Sequence, residues 1–138
     1  MKKMLAVLRN PEGHIETVRT VPMHNAPAGI VLTHDGSTLI AAAGGAVVFF
    51  DVERLETGAA APSFQWVSDG PQAGSIYLNT TADDRTLFVS DSDRFNTHTA
   101  AASKLMVLDT TRIGTRLDPK IGEIPCGAFP REFSPWRA

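Results

Sequence analysis

A repeat covers most of this chain and limits the folds that it can adopt. Residues 33–42 return in similar form as residues 81–90. Each copy then runs through a second apolar segment that ends in an aspartate, Asp51 in the first copy and Asp109 in the second, with an arginine three residues later. Repeats of this kind are typical of architectures in which each unit buries its apolar face only against its neighbours.

The repeated segments have the pattern of short β-strands. Runs of β-branched, aliphatic and aromatic residues at 30–32, 38–40 and 47–50 are bounded by Gly, Asp, Asn and Pro. Residues 34–37 contain an Asp-Gly pair, which favours a tight hairpin turn because glycine accepts a positive φ. Evidence for helices is slight, since Gly and Pro recur and the Ala-rich stretches are short.

The two ends of the chain show a further correspondence, between residues 20–27 and residues 123–130. Two units of roughly 50 residues, each with four predicted strands, separate these stretches. Four short antiparallel strands in each unit are typical of a propeller blade, whereas a duplicated β-sandwich or a simple meander is the alternative. We therefore predict an all-β fold made of antiparallel four-stranded blades of a β-propeller in an incomplete, open ring.

The order of these motifs resembles the YVTN-type repeats of lactonase-like β-propellers. The shared pattern is Pro-x-Gly, a strand, Asp-Gly-x-x-Leu, a strand, Val-x-x-x-Asp, a strand and Ile-Pro-x-Gly. The resemblance implies a ring of about seven blades, of which this chain is expected to be a fragment. It implies the outer strands of a preceding blade at 1–26, one blade at 27–70, a second at 71–127 and the start of another at 128–138.

An open ring has a consequence for association. Two blades without further neighbours leave an apolar face uncovered at each end, together with unpaired strand edges. Such surfaces favour association, so we expect the isolated chain to be oligomeric or marginally stable. The expected partners are an unknown protein or small-molecule ligand, and a second copy of the chain.

Composition narrows the partners further. The chain has 138 residues, 43% apolar and 20% charged, which is enough for one core. A net charge of −2 gives no reason to expect nucleic acid as a partner. No apolar stretch approaches the roughly 20 residues of a membrane helix, and the start of the chain is a poor match to a signal peptide. We predict a soluble chain without a membrane span and leave its localisation open, although the resemblance implies relatives that are often exported.

Three residues are candidates for ligand binding. The resemblance places the Pro-containing junction between blades at the rim of a central channel. There, Arg131 is suited to bind a carboxylate or phosphate, and Glu132 to act as a base toward a bound water. The alternative is an ion pair on a solvated turn. His24 lies in an equivalent junction segment, and its alternative is a polar residue in a connecting loop.

No metal or cofactor site is predicted. Residues 91–96 are rich in side-chain oxygens but lack the central Gly and the distant Glu of a calcium loop, so capping of a long hairpin is the stronger interpretation. The four histidines do not have metal-binding spacings, and Cys126, the single cysteine, is predicted to be structural. Asp51 and Asp109 are expected to bond the turn backbone at strand ends.

Two functions remain open. The first is a propeller-type binding or scaffold module with no catalysis of its own. The second is a remnant of a lactone-hydrolysing propeller enzyme acting on a sugar or sugar-phosphate lactone. In that enzyme Arg131 would polarise the ester and Glu132 would activate water. The sequence contains no Gly-x-Ser-x-Gly elbow, phosphate loop or dinucleotide fingerprint.

Overall fold

The computed structural model describes residues 3–58, 61–67, 74–91, 103–127 and 133–134. The strands are β1 (Met4–Arg9), β2 (Glu16–Pro22), β3 (Pro27–Leu32), β4 (Thr38–Ala43), β5 (Ala46–Asp51), β6 (Phe64–Val67), β7 (Ser75–Thr80), β8 (Thr86–Asp91), β9 (Lys104–Asp109) and β10 (Lys120–Pro125). One short helix, α1 (Val52–Thr57), follows β5, and short 3-10 turns lie at Pro11–Gly13 and Thr110–Arg112.

The described strands form three antiparallel sheets. β1 and β2 form the N-terminal hairpin, β3-β4-β5-β6 form the first sheet, and β7-β8-β9-β10 form the second sheet. In each four-stranded sheet the spatial order follows the chain order, and no sheet closes into a barrel. This open, all-β arrangement of antiparallel four-stranded sheets confirms the predicted fold class.

The two four-stranded sheets pack face to face around the larger core. Alternate residues along each strand point into it, as the two-residue period of a strand requires. The first sheet contributes Ile40, Ala42, Val47, Phe49 and Trp66, and the second contributes Leu78, Leu87, Val89, Met106 and Leu108.

The N-terminal hairpin packs against the opposite face of the first sheet. Its Leu5 and Val21 are buried in a second cluster with Val48 and Phe50 of β5. Leu39 is partly buried against this cluster. Its counterpart in the repeat, Leu87, packs between the second sheet and the first. Equivalent positions of the repeat therefore face the preceding unit in both cases.

The two hairpin turns use the same chemistry, as their sequences indicated. Asp35 Oδ1 accepts hydrogen bonds from the Thr33 hydroxyl at 2.7 Å and from the Ser37 backbone N–H at 2.9 Å. In the second turn Asp83 Oδ1 accepts from the Thr81 hydroxyl at 2.6 Å and from a backbone N–H two residues further on. These carboxylates satisfy turn N–H groups that the strand ladders leave unpaired.

The repeated aspartates at the strand ends have the predicted role. Asp51 Oδ1 accepts from the Arg54 backbone N–H at 2.9 Å, and Asp109 Oδ1 accepts from the Thr111 backbone N–H at the same distance. After Asp51 the chain makes a true helical turn, α1, which the sequence did not predict. Its six residues are too few to show helical periodicity, and the N-cap of Asp51 is its main local signal.

Candidate functional site

A cleft of about 500 Å³ lies where the segments that join successive units meet. It is lined by residues 25–28, residues 74–76, Gly44 in the turn between β4 and β5, and Lys3 ahead of the N-terminal hairpin. We call it the junction cleft. It combines residues of both four-stranded sheets with Lys3 and the segment before β3, so no single repeat contains it.

Backbone contacts hold the three segments of the junction cleft together. The Ser75 N–H donates to the Gly44 carbonyl at 2.7 Å and so bridges the two sheets. Gly44 has a φ of +64°, and a Cβ there would lie 2.7 Å from Asn25 Nδ2. Gly44 therefore gives both the turn and the room for the Asn25 amide. On the adjacent β3, a Cβ on Gly29 would overlap the carbonyl oxygen of Ile76.

Ser75 Oγ is one of two buried side-chain polar atoms that have no hydrogen-bonding partner among the described residues, and the other is Arg19 Nε. Ser75 as a whole is 2% exposed. A buried hydroxyl without a partner costs roughly 1–3 kcal/mol, and such a group in a native fold requires an explanation. Ser75 lines the junction cleft, but its Oγ is buried from solvent, so the hydroxyl does not open into the cleft.

The cleft carries one positive charge among its described lining residues and no acidic side chain. This charge belongs to Lys3, whose Nζ donates to the His24 carbonyl at 3.2 Å. An ammonium has three donors, and this contact with a described residue uses one of them.

Asp91 holds one wall of the junction cleft in place. Its Oδ1 accepts from the Gly74 backbone N–H at 2.9 Å and so fixes the segment that leads into Ser75. Burial raises the pKa of this carboxyl, while the Gly74 hydrogen bond and the charge of Lys104 act in the opposite direction. Of residues 91–96, which the sequence singled out, the structure describes Asp91 alone.

The structure locates one of the three predicted ligand-binding residues. His24 is exposed and lies beside the junction cleft, where it lines a separate hollow of about 50 Å³ against Met23 and Gln65. Its backbone carbonyl accepts the hydrogen bond from Lys3 Nζ. Arg131 and Glu132 lie outside the described residues, so their proposed roles stay predictions.

A second cleft, of about 230 Å³, opens between the two sheets near their hairpin turns. Its polar rim includes Asp84 and Thr110, and its apolar floor includes Ile40, Phe49 and Ile113. Both carboxylate oxygens of Asp84 already accept hydrogen bonds, which come from the Thr80 hydroxyl and from His34. We therefore interpret this cleft as a gap between the packed sheets and not as a ligand site.

Cys126 is half-buried, and burial raises the pKa of its thiol. A raised pKa lowers the thiolate fraction and so disfavours a role as a nucleophile. Within the described part of the chain, no three His, Cys, Asp or Glu side chains converge as a metal site would need. The described helices are all too short to cross a membrane.

Comparison with known proteins supports the fold and does not identify a function. No family model matches the chain, and no curated protein matches it. Among solved structures, hydrazine synthase from Kuenenia stuttgartiensis is similar over 80% of this chain, with a TM-score of 0.62 and 15% sequence identity. The match covers 28% of the hydrazine synthase chain, so this chain spans well under half of its neighbour's length.

Proposed function

We propose that this chain is a propeller-type scaffold or binding module, of the YVTN-repeat type that its sequence resembles, with no catalysis of its own. It works within a larger β-propeller assembly, in which further strands cover the apolar faces of its units. The likeness to part of a much longer chain supports this proposal at the level of fold.

The observation that carries the proposal is that the N-terminal hairpin covers only part of the first sheet. Cross-strand pairing puts Ile30 in one row with Ala41 and Val48, which are buried beneath the hairpin. Ile30 itself is 59% exposed. In the neighbouring row Phe50 is fully buried, while Leu32 on β3 is 51% exposed. The apolar face therefore continues beyond its cover.

The outer edge of β1 indicates what could cover the rest of this apolar face. Among the described strands β1 pairs with β2 alone, so its other edge has unpaired backbone N–H and C=O groups. An exposed edge of this kind is a template for another strand. Two further strands, added to β1, would complete a four-stranded unit and would lie over Ile30 and Leu32.

The outer face of the second sheet is apolar too. Tyr77 and Phe88 are half-buried on this face, and Phe133 contacts both rings edge-on, with centroids 5.1 and 6.2 Å away. Such tilted aromatic contacts add roughly 0.5–1.5 kcal/mol to the burial of the rings. A segment that follows β10 thus begins to cover the second sheet, as one unit covers another in a propeller.

The second hypothesis, a lactone-hydrolysing remnant, depends on Arg131 and Glu132. Both lie outside the described residues, and the junction cleft as described contains no carboxylate that could activate water. The scaffold function is therefore the one that the described geometry favours.

Sedimentation velocity over a range of protein concentrations tests the scaffold function. Without other propeller segments, the uncovered faces of two copies should meet, so we expect association that increases with concentration. The double variant Ile30→Lys, Leu32→Lys should weaken it at least about tenfold, because a charge buried against an apolar face is unfavourable.

Ile15→Lys is the matched control, since Ile15 is 70% exposed and lies outside the strands. It should leave the association unchanged. A wild-type chain that stays monomeric at every concentration would contradict the proposal, as would a double variant that associates like the wild type.

A further inference from the structure

We propose that copies of this chain associate head to tail, with the N-terminal hairpin of one copy against the outer face of the second sheet of another. We base this on the proposed scaffold function, in which the exposed apolar faces need a cover, and we name a second copy as that cover. The packing of the described units indicates which face meets which, and it predicts a contact between two different surfaces.

Within the chain, both described boundaries between units join two different faces. At the first boundary Val48 and Phe50 of β5 face back toward the hairpin. At the second boundary Val47 and Phe49, which alternate with them along β5, face forward toward the second sheet. A unit therefore meets the unit before it with a backward face and the unit after it with a forward face. The same rule between copies gives a head-to-tail contact.

The second sheet has a forward face that is covered only in part, namely its outer face. Phe133 lies against Tyr77 of β7 and Phe88 of β8. On the same face, Ile124 of β10 pairs with the half-buried Leu105 of β9. Ile124 is 45% exposed. The described cover therefore lies over β7 and β8 and leaves the β10 side of this face open.

The hairpin has an exposed backward face. Leu5 of β1 is buried toward the first sheet, so Met4, Ala6 and Leu8 lie on the opposite face of the strand. All three are exposed, Leu8 by 56%, and they make this face apolar along β1. The described part of the chain thus exposes one forward and one backward face, the two kinds that meet at its own boundaries.

The two ends also lack opposite parts of their cover. The hairpin packs over β4 and β5 of the first sheet and leaves Ile30 and Leu32 of β3 exposed. Phe133 packs over β7 and β8 of the second sheet and leaves Ile124 exposed. In a head-to-tail contact the hairpin of one copy takes the open place over β9 and β10 of the other. Phe133 of that other copy then lies beside the hairpin, on the side of the exposed β3.

Complementation between two variants tests the direction of the contact. Leu8→Lys places a charge on the backward face, and Ile124→Lys places one on the forward face. In sedimentation velocity each variant alone should associate at least about tenfold more weakly than the wild type, because either charge is present in every contact. An equimolar mixture should recover association, since the intact face of one variant meets the intact face of the other. The mixture should stop at a dimer, because the pair has one intact contact.

Leu117→Lys is the matched control. Leu117 is 63% exposed and lies outside the strands, so this variant should associate like the wild type. Recovery of association in the mixture also shows that both charged variants are folded.

Disulfide trapping measures the same contact without an added charge. In a Cys126→Ser background, Ala6→Cys lies on the backward face and Ile124→Cys on the forward face. Under mild oxidation a mixture of the two should form disulfide-linked dimers, and neither variant alone should do so.

The head-to-tail contact is overturned if either charged variant associates like the wild type. It is also overturned if the mixture does not recover association and each cysteine variant forms dimers with itself, which would mean that like faces meet. The scaffold function survives both of these results, since the wild type still associates. A wild-type chain that stays monomeric at every concentration would overturn the scaffold function together with the contact.

Discussion

His34 and Asp84 join the two sheets through both of the carboxylate oxygens. His34 Nδ1 lies 2.8 Å from Asp84 Oδ1, and the His34 backbone N–H donates to Asp84 Oδ2 at 2.7 Å. Asp84 occupies the position that Gly36 holds in the first turn, and it keeps the same left-handed backbone, with a φ of +55° against +73°. At this position Gly36 of the first unit serves only the turn. Asp84 of the second unit serves the turn and also contacts the first unit.

The first prediction concerns the pH dependence of this contact. Burial favours the neutral form of Asp84, but the hydrogen bonds from His34 and Thr80 outweigh it and hold the pKa of the carboxyl below its usual value. Because the pKa is lower in the folded chain than in the unfolded chain, ionised Asp84 stabilises the fold above about pH 4. That contribution is lost as the pH falls through the folded pKa.

Asp84→Asn measures this contribution, since asparagine tolerates a positive φ. We expect the variant to lower the free energy of unfolding by about 1 kcal/mol at pH 7. The difference from the wild type should shrink as the pH falls from 7 through the folded pKa, because the wild-type carboxyl then becomes neutral like the asparagine. Urea unfolding over a series of pH values measures this change, and a difference that stays constant with pH would count against the charged contact.

The second prediction isolates backbone strain at the first turn. Gly36 has a φ of +73°, and a Cβ there would meet nothing within 4 Å. Gly36→Ala should therefore destabilise the chain by about 1–2 kcal/mol through backbone conformation alone. Gly122→Ala in β10 is the control, because Gly122 is equally open but has no positive φ. Thermal unfolding should show a lower Tm for the first variant only.

The third prediction tests the close approach of β3 to β7. A Cβ on Gly29 would overlap the carbonyl oxygen of Ile76, and a backbone atom cannot move aside as a side chain can. We expect Gly29→Ala to cost about 2 kcal/mol or more in unfolding free energy. Gly127→Ala, where a Cβ meets nothing within 4 Å, should be nearly neutral. Equal stability of both variants in urea would show that β3 and β7 lie further apart.

The fourth prediction concerns catalysis. If the chain is a scaffold, neither the wild type nor Arg131→Ala should hydrolyse lactones or sugar-phosphate lactones above the uncatalysed rate. A pH-stat assay over a panel of lactones measures this directly. Hydrolysis by the wild type that is lost in Arg131→Ala would instead support the lactonase alternative and the role given to Arg131.

The repeat made the sheets predictable because the information for them is local. The Asp-Gly turn, the apolar runs and the strand-end aspartates all act within a few residues, and each is found where the sequence indicated. Helix α1 was missed because one turn of helix after an N-cap leaves little pattern to detect. The pairing of His34 with Asp84 was missed for a different reason, since the two residues belong to different units.

The junction cleft shows the limit of sequence reasoning more clearly. Lys3 precedes the hairpin, Gly44 lies in the turn between β4 and β5, and Ser75 begins β7, and no sequence motif connects the three. His24 was selected because of its junction segment, and in the structure its neighbour Asn25 lines the cleft. The burial of the Ser75 hydroxyl without a partner among the described residues is likewise visible only in three dimensions.

The equivalence of Leu39 and Leu87 has a consequence for how such a chain evolves. Each leucine packs toward the unit before it, so the two described boundaries place the same repeat position against the preceding unit. Duplication of one whole unit in the gene would then create no new kind of boundary, because each side already fits its counterpart. The chain can lengthen or shorten by whole units, and natural selection can change a single turn, as at Asp84, without redesigning the rest.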